Sequence, residues 1–202
     1  MPQEHYFSND PNAEFKPKSI SVTLAGREVS VLTAGSMFSP DHVDTGTKVL
    51  LENLELAPDD GNILDIGCGW GPIALALAMA RPDATVWAID VNERALELTR
   101  RNAERLGLTN VKTALPGAVP ADISFNGIWS NPPIRVGKEV LHEIMQTWLP
   151  RMVIGGDAYL VVQKNLGSDS LLKWLQDTMT SFESSRLETA KSFRVLQVTR
   201  ES

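Results

Sequence analysis

The sequence predicts an α/β protein built on one sheet of seven strands, most of them parallel, with helices on both faces. Three observations predict this fold class. From residue 62 onward, short apolar runs typical of buried strands alternate with patterns of about 10–15 residues typical of helices. Two strand patterns follow each other directly near the end, which adds an antiparallel pair at the C-terminal edge of the sheet. Two alternating segments near the beginning predict a small β-hairpin extension.

Length and composition fit a single globular domain with a small extension. The chain has 202 residues, of which 43% are hydrophobic and 22% charged, as in ordinary soluble proteins. We expect an arm and a hairpin over residues 1–40 and the main domain over residues 41–202. The longest apolar stretch, 72–80, is far too short to span a membrane, and the first residues lack the pattern of a signal peptide. We therefore expect a cytoplasmic protein.

Charge, cysteine and histidine content limit the function classes. A net charge of −6 argues against tight nonspecific binding of nucleic acid through charge alone, although a local basic patch can lie on an acidic body. The single cysteine, Cys68, allows no intrachain disulfide. His5, His42 and His142 are far apart in the sequence and lack the spacing of metal ligands. No metal site is therefore predicted.

The first elements are an arm, the hairpin and one helix. Residues 1–18 contain three prolines and few apolar residues, which indicates an irregular arm. Apolar and polar residues alternate on both sides of a glycine turn over 20–33, which predicts the hairpin. Apolar residues on one helical face predict a helix over 45–56, with Asp44 or Thr45 as its N-cap.

The sheet and its helices follow. Apolar runs predict seven strands, over residues 62–66, 85–90, 111–115, 127–130, 158–163, 186–190 and 193–199. Helical patterns occupy residues 72–81, 93–106, 138–152 and 169–179. A proline near the start of the first of these helices and Gly107 after the second are typical of a helix start and a C-cap.

The clearest candidate site is the glycine turn within residues 63–71, Ile-Leu-Asp-Ile-Gly-Cys-Gly-Trp-Gly. A buried strand enters a loop with three glycines, and a helix follows at once. Glycine allows positive φ and lets a ligand approach the backbone, and ligands bind at the carboxyl ends of the strands in such folds. The spacing Gly-x-Gly-x-Gly differs from the nicotinamide fingerprint. Asp90 ends the next strand, where a carboxylate can accept hydrogen bonds from both ribose hydroxyls of an adenosine. We interpret Cys68 as a small residue of the tight loop and not as a nucleophile.

This turn resembles the first motif of class I S-adenosylmethionine-dependent methyltransferases, whose fold is Rossmann-like. The resemblance implies that one group of residues meets the methionine end and the sulfonium region of the cofactor: Asp65, Gly67, Cys68, Gly69 and Gly71. It also implies that Asp90 holds the ribose and that Val91 packs on the adenine. Many relatives carry an acid or an amide near the adenine amine after the third strand. This chain reads Leu-Pro-Gly-Ala at 115–118, so a backbone group is expected to take that role.

The second candidate site, Asn131-Pro132-Pro133-Ile134, directly follows the strand at 127–130. Two prolines fix φ twice and remove two N–H donors, which gives a rigid turn. The Asn131 side-chain oxygen and the Pro132 carbonyl can accept hydrogen bonds from an exocyclic amine and favour a pyramidal nitrogen whose lone pair aims at the cofactor methyl. Catalysis would then depend on orientation and placed dipoles. The alternative is a rigid connector without a chemical role.

Asn-Pro-Pro after the fourth strand resembles the motif of amino methyltransferases that act on guanine N2, adenine N6 or a glutamine amide. Many of these carry an aromatic residue next, where this chain has Ile134. The absence of an aromatic ring argues against adenine N6 as the target more than against guanine N2. The longer match, from His5-Tyr6-Phe7-Ser8 to Asn131–Lys138 and His142-Glu143, resembles the small-domain methyltransferases, which include small-subunit ribosomal RNA guanine-N2 methyltransferases. Members with a verified RNA target can have two tandem domains, whereas we expect one such domain in this chain.

The small-domain resemblance implies further site residues. Phe38 and the segment containing Asp44, Gly46 and Thr47 would close over the cofactor, and the helix N-terminus there could donate to the methionine carboxylate. A simple helix cap is the alternative interpretation of that segment. The basic residues Arg135 and Lys138, which follow the catalytic turn, could contact phosphate beside the target base. The alternative is that they form a solvated helix start.

Together these features predict an S-adenosylmethionine-dependent N-methyltransferase that acts on the N2 amine of a guanine in RNA. The expected partner is ribosomal RNA or a ribosomal subunit, and the protein is expected to be a monomer or a weak homodimer. Two alternatives stay open: methylation of a protein glutamine amide, and a cofactor-binding module without catalysis. Intact Asp65, Asp90 and Asn131 argue against the latter.

Overall fold

The computed structural model describes residues 15–35, 37–133 and 137–202. It contains two sheets, one of two strands and one of seven. The small sheet is the predicted hairpin, formed by β1 (Lys18–Leu24) and β2 (Arg27–Thr33), which pair antiparallel. The turn between them is the Ala25-Gly26 pair, and both residues have positive φ.

The large sheet carries the fold. Its strands are β3 (Gly61–Ile66), β4 (Ala84–Ile89), β5 (Val111–Ala114), β6 (Phe125–Ser130), β7 (Met152–Gln163), β8 (Phe182–Ala190) and β9 (Phe193–Arg200). Their spatial order is β5-β4-β3-β6-β7-β9-β8. The first five strands of that order are parallel, and β9 pairs antiparallel with both β7 and β8. The predicted parallel sheet with an antiparallel C-terminal edge is confirmed.

Helices cover both faces of this sheet. They are α1 (Thr45–Leu51), α2 (Pro72–Ala80), α3 (Glu93–Arg105), α4 (Lys138–Trp148) and α5 (Ser168–Thr178). Apolar residues of α4 and α5 share one core with Leu64 and Ile66 of β3. Ile63, which directly precedes Leu64, joins α1 and α2 in the core of the opposite face, as the side-chain alternation of a strand requires.

The hairpin packs on α2 and α3. Its inward residues share a core with Trp70 and with Leu98 of α3. The buried Asn102 of α3 joins the two parts, because its side-chain oxygen accepts from the Leu32 N–H at 2.6 Å and its NH₂ donates to the Leu32 carbonyl at 2.8 Å. The same NH₂ donates to the Trp70 carbonyl at 2.9 Å. One polar side chain therefore connects the hairpin to the glycine turn.

Two predicted helices end earlier than expected. The helix predicted over 45–56 ends at Leu51 and is followed by a separate 3₁₀ turn at Leu54–Leu56. The helix predicted over 138–152 ends at Trp148, because Pro150 lies in a 3₁₀ turn and cannot donate to a continuing helix.

The later strands are longer than predicted. β7 begins at Met152 and not at residue 158, because its glycines form an irregular segment inside the strand where the register with β6 shifts. Gly155 has φ 77° there. β8 begins at Phe182 instead of residue 186. Across the parts of the chain that the structure describes, every helix is too short or too polar to cross a bilayer.

Candidate active site

The carboxyl ends of β3, β4 and β6 meet at one edge of the sheet, and the candidate site is built there. The loop after β3 holds Gly67, Gly69 and Gly71 at φ 76°, 58° and 98°, a region that L-residues with a side chain avoid. The N–H groups of Gly67 and Cys68 both donate to the Ile89 carbonyl, at 2.9 and 3.0 Å. The loop is therefore fixed to the end of β4, next to the acid that follows it.

The glycines leave room beside the loop. A Cβ built at Gly67 or Gly69 would meet no atom within 4 Å, so a ligand can lie directly on this backbone. At Gly71 a Cβ would come 2.9 Å from the Thr99 hydroxyl oxygen, so that position is closed by α3. The first two glycines thus make an open cradle, and the third allows close packing of the helix behind it.

Asp90 is joined directly to this loop. One carboxylate oxygen accepts from the Gly69 N–H at 3.0 Å and the other from the Asn92 N–H at 2.9 Å. Burial raises the pKa of Asp90, and the backbone donors oppose that shift. Val91, the next residue, is 59% exposed. The carboxylate is thus held at this edge of the sheet, beside an exposed apolar side chain.

Asp65 lies beneath the loop and is fully buried. One of its oxygens accepts from the Ala74 N–H at 3.0 Å, and the other has no hydrogen-bond partner within the described residues. Burial raises the pKa of Asp65 to about 8. Asp65 lies two residues before the open glycine cradle. Its second oxygen, buried and without a donor, suits a ligand that brings a hydrogen-bond donor or a positive charge.

Sequence analysis missed the residues that hold the loop. The Thr99 hydroxyl donates to the Gly69 carbonyl at 3.0 Å, the Trp70 indole N–H donates to the Ser39 carbonyl at 3.3 Å, and the buried Ser130 hydroxyl donates to the Ile66 carbonyl at 2.8 Å. The available signal was the pair of polar residues Thr99 and Asn102, three positions apart on the buried face of α3. Polar side chains there need partners, and the loop carbonyls are those partners.

Cys68 is buried in the same loop. Its sulfur lies 3.5 Å from the Thr99 hydroxyl oxygen. Burial, together with the charges of Asp65 and Asp90, raises the pKa of the Cys68 thiol. A thiol that stays protonated is a poor nucleophile, which agrees with its interpretation as a small residue of the loop.

Asn131 follows β6 and is held by the first turn of α1. Its side-chain NH₂ donates to the Asp44 carboxylate at 2.9 Å and to the Thr47 hydroxyl oxygen at 3.1 Å. A carboxylate only accepts hydrogen bonds, so the NH₂ group and not the oxygen must face Asp44. Each amide hydrogen then has an acceptor, and the amide oxygen is the atom left for a ligand.

Asp44 is also the N-cap of α1. The carboxylate oxygen that accepts from Asn131 accepts from the Gly46 and Thr47 N–H groups at 2.9 and 3.3 Å. Both N–H groups therefore have a partner within the protein. Asp44 caps α1 and also holds the candidate catalytic asparagine.

The remaining predicted site residues lie near this edge of the sheet or outside the described residues. Phe38 is 50% exposed in the loop that Trp70 holds. Leu115 and Ala118, in the predicted adenine loop, line an open cavity of about 730 Å³ with residues of α3. Ile134 and Arg135 lie outside the described residues, so their predicted roles stay predictions. Lys138 begins α4 and is exposed.

His142 of α4 and Lys164, which follows β7, are two further side chains whose positions the structure gives. The His142 ring stacks on Trp174 with 3.8 Å between ring centroids. Burial and, secondly, the charge of Lys138 lower the pKa of His142. Lys164, which sequence analysis did not single out, follows β7 with an exposed side chain, and its backbone N–H donates to the Ser192 carbonyl at 2.7 Å. β7 lies beside β6 in the sheet, so Lys164 leaves the same edge as Asn131.

A family model for the methyltransferase small domain matches residues 28–197, so the chain belongs to the methyltransferase small domain family. It is an S-adenosylmethionine-dependent methyltransferase, and the open glycine cradle beside Asp90 is compatible with such a cofactor. When bound, S-adenosylmethionine supplies a methyl carbon made electrophilic by a positively charged sulfur.

Known proteins resemble this chain over most of its length. The uncharacterized protein YbxB of Bacillus subtilis (strain 168) is 38% identical over 177 residues, which cover 86% of this chain and 88% of YbxB. Ribosomal RNA small subunit methyltransferase C of Shewanella piezotolerans is 31% identical over 164 residues, 79% of this chain and 47% of that protein. A solved structure of the Thermus thermophilus 16S rRNA N2 G1207 methyltransferase, in complex with AdoMet and guanosine, superposes with a TM-score of 0.76 at 23% identity and covers 94% of this chain and 51% of its own. This chain therefore spans about half the length of the last two proteins.

Proposed function

We propose that this methyltransferase modifies the exocyclic N2 amine of a guanine in RNA, with ribosomal RNA as the target. The observation that carries the proposal is the orientation of Asn131. Its NH₂ is committed to Asp44 and Thr47, so its oxygen is left to accept a hydrogen bond. A group that donates, such as an amine, suits this site, whereas a carbonyl or phosphate oxygen does not.

The chemistry follows from the weak nucleophilicity of such an amine, whose lone pair is delocalised into the ring. The Asn131 oxygen and the Pro132 carbonyl would accept its two hydrogens, which draws the nitrogen toward a pyramidal geometry. The lone pair is then directed at the methyl carbon instead of the ring. The amine loses its proton after transfer, so the site needs no strong base, and oriented dipoles carry the catalysis.

Cofactor binding would use the glycine cradle and its acids. We propose that Asp90 accepts from the ribose hydroxyls and that Val91 contacts the adenine. The unpartnered oxygen of Asp65 would face the methionine end. The other proposed contacts are Phe38, Gly46, Thr47, Gly67, Cys68, Gly69 and Gly71, with Asn131 between the cofactor and the amine.

RNA binding would use basic residues at the same edge, since the net charge of −6 gives no general attraction. Lys138 and Lys164 are exposed there, and Arg135 would join them. Each could contact a phosphate beside the target base. The ribosomal RNA methyltransferase C relatives support RNA as the substrate, and a target of that kind implies a cytoplasmic protein. We further propose that residues 1–40 act as an extension of the domain at 41–202 and that the protein works as a monomer or a weak homodimer.

The test is methyl transfer from tritiated S-adenosylmethionine to ribosomal subunits of a strain that lacks the gene. We expect label in ribosomal RNA, recovered as N2-methylguanosine after digestion to nucleosides. Label found only in protein would instead favour a glutamine amide, which also presents an NH₂ to Asn131. Cofactor binding by calorimetry without transfer to either substrate would favour a non-catalytic module.

A further inference from the structure

We propose that Asp44 is a positioning residue for methyl transfer, acting through Asn131 and not by contact with the cofactor or the amine. This inference rests on the proposed function, because it assigns Asn131 the role of hydrogen-bond acceptor. It also gives Asp44 a different role from the cofactor contact that the sequence resemblance implies.

The geometry places three donors on one oxygen. The same Asp44 oxygen accepts from the Gly46 and Thr47 N–H groups and from the Asn131 NH₂. The two backbone donors fix that oxygen in space, because they belong to the first turn of α1. Asn131 is 87 positions away in the chain, so the carboxylate joins the start of α1 to the end of β6.

The charge of Asp44 selects the orientation of the amide. If Asn131 turned its oxygen toward the carboxylate, two acceptors would face each other and the NH₂ would point at the incoming amine. The Thr47 hydroxyl cannot enforce the choice alone, since a hydroxyl can donate as well as accept. The carboxylate is therefore the group that excludes the reversed orientation.

The carboxylate also strengthens the acceptor. A hydrogen bond from the Asn131 NH₂ to a charged oxygen polarises the amide and increases the negative charge on its own oxygen. A stronger acceptor binds the amine hydrogens better as positive charge develops on the nitrogen. Asp44 thus contributes both the direction and the strength of the Asn131 oxygen.

The neighbouring packing keeps α1 where this contact needs it. The Phe193 ring lies against the first turn of α1, with its nearest atom 2.7 Å from the place of a Cβ at Gly46. Thr47 is buried, with 3% of its surface exposed. The carboxylate therefore belongs to a packed element and not to a free loop.

Two substitutions separate positioning from capping. Serine is a good N-cap residue, so Asp44→Ser keeps α1 capped but is too short and uncharged to hold Asn131. Asp44→Asn keeps the length and an acceptor oxygen, and removes the charge. A matched control is Asp41→Ser, which removes an exposed carboxylate from the preceding turn, where it pairs with Lys18 and not with Asn131.

We expect kcat to fall by about 10- to 100-fold in Asp44→Ser, as for the loss of a hydrogen bond to a charged group, and by less in Asp44→Asn. The KM for S-adenosylmethionine and the calorimetric affinity for S-adenosylhomocysteine should change by less than about twofold, which is within ordinary non-additivity for a site without contact. In the Asn131→Ala background, Asp44→Ser should have almost no further effect, because its partner is already absent.

A spectroscopic readout needs no substrate. In ¹⁵N–¹H spectra of the free protein, the side-chain amide pair that disappears in Asn131→Ala belongs to Asn131. We expect this pair to shift strongly in Asp44→Ser, moderately in Asp44→Asn and not in Asp41→Ser. Unchanged Asn131 signals in a folded Asp44→Ser protein would overturn the positioning role.

The kinetic outcomes separate this inference from the proposed function. Full activity in Asn131→Ala would overturn the proposed chemistry and the positioning role with it. If Asn131→Ala loses activity, two results would overturn the positioning role alone. The first is that Asp44→Ser and Asn131→Ala lower kcat additively in the double variant. The second is that Asp44→Ser loses affinity for S-adenosylhomocysteine. In that case Asp44 acts as a helix cap or as a cofactor ligand.

Discussion

The Phe193 ring occupies the space into which any side chain at Gly46 would extend. An added Cβ would lie 2.7 Å from one ring carbon and 2.9 Å from another. Phe193 opens β9 and pairs with Gln163 at the end of β7, so this contact sets the distance between α1 and the antiparallel edge of the sheet. Through Asp44, the position of α1 in turn sets the position of Asn131.

Gly46→Ala should therefore destabilise the protein and slow methyl transfer. Overpacking of this kind costs about 1–3 kcal/mol of the free energy of unfolding, measured by urea unfolding, and displacement of α1 should lower kcat. The double variant Gly46→Ala with Phe193→Leu should recover part of both losses. Gly35→Ala is the matched control, because a Cβ there meets no atom within 4 Å. Equal stability of the two alanine variants would contradict this packing account.

Asp65 should make the stability of the free protein depend on pH. Its pKa is raised to about 8 in the folded state, whereas an ordinary aspartate has a pKa of about 3.9. The folded protein then binds a proton that the unfolded chain has released, so the free energy of unfolding falls as pH rises between these two values. Asp65→Asn keeps an acceptor for Ala74 and removes the titration.

Urea unfolding of both proteins between pH 5 and 8 measures this effect. The stability of Asp65→Asn minus that of the unmodified chain should increase as pH rises through this window. A difference that stays constant with pH would mean that the Asp65 carboxyl is already ionised throughout, with a donor for its second oxygen.

Asp90 should control cofactor affinity. Asp90→Ala removes the acceptor of the Gly69 N–H and the proposed ribose contact, so the affinity for S-adenosylhomocysteine should fall by about 100-fold or more, as for lost hydrogen bonds to a charged group. Calorimetry measures the change, with Asp83→Ala, an exposed acid beyond α2, as control. An affinity that survives in Asp90→Ala would remove Asp90 from the cofactor site.

Asn102 should determine how firmly the hairpin docks. Its side chain bonds both backbone groups of Leu32 and the Trp70 carbonyl, and Asn102→Ala leaves these buried groups unpaired at a cost of about 1–3 kcal/mol. Hydrogen exchange of β2 amides should accelerate more than that of β4 amides. Arg101→Ala, which loses only an exposed ion pair with Glu97, should leave both unchanged. Equal acceleration of β2 and β4 would indicate global unfolding instead of local release of the hairpin.

The sequence predicted the candidate site best where that site is built from residues close together in the chain. The turn from Gly67 to Gly71 and the acid at Asp90 are local patterns with a defined place in a parallel sheet, and the structure brings them together. The contact between Asp44 and Asn131 has no such signal, because the two residues are 87 positions apart and a cap residue is explained equally well by its own helix. The same limit applies to Thr99 and Asn102, whose partners are carbonyls of other elements.

Strand boundaries were least predictable where the backbone is irregular. The glycines inside β7 have the composition of a turn, yet pairing with β6 continues across them with a shift of register. Pro150 lies in a 3₁₀ turn that directly precedes β7. The start of β7 depends on its partner across the sheet, whereas the preceding helix end follows from the proline itself.

The most direct test is an experimental structure with S-adenosylhomocysteine and guanosine bound. We expect the Asn131 side-chain oxygen to lie within about 2.7–3.2 Å of the guanine N2 nitrogen, the range of an ordinary hydrogen bond, with the Asn131 NH₂ still on Asp44. A guanine bound elsewhere, or an Asn131 NH₂ turned toward the base, would contradict the account.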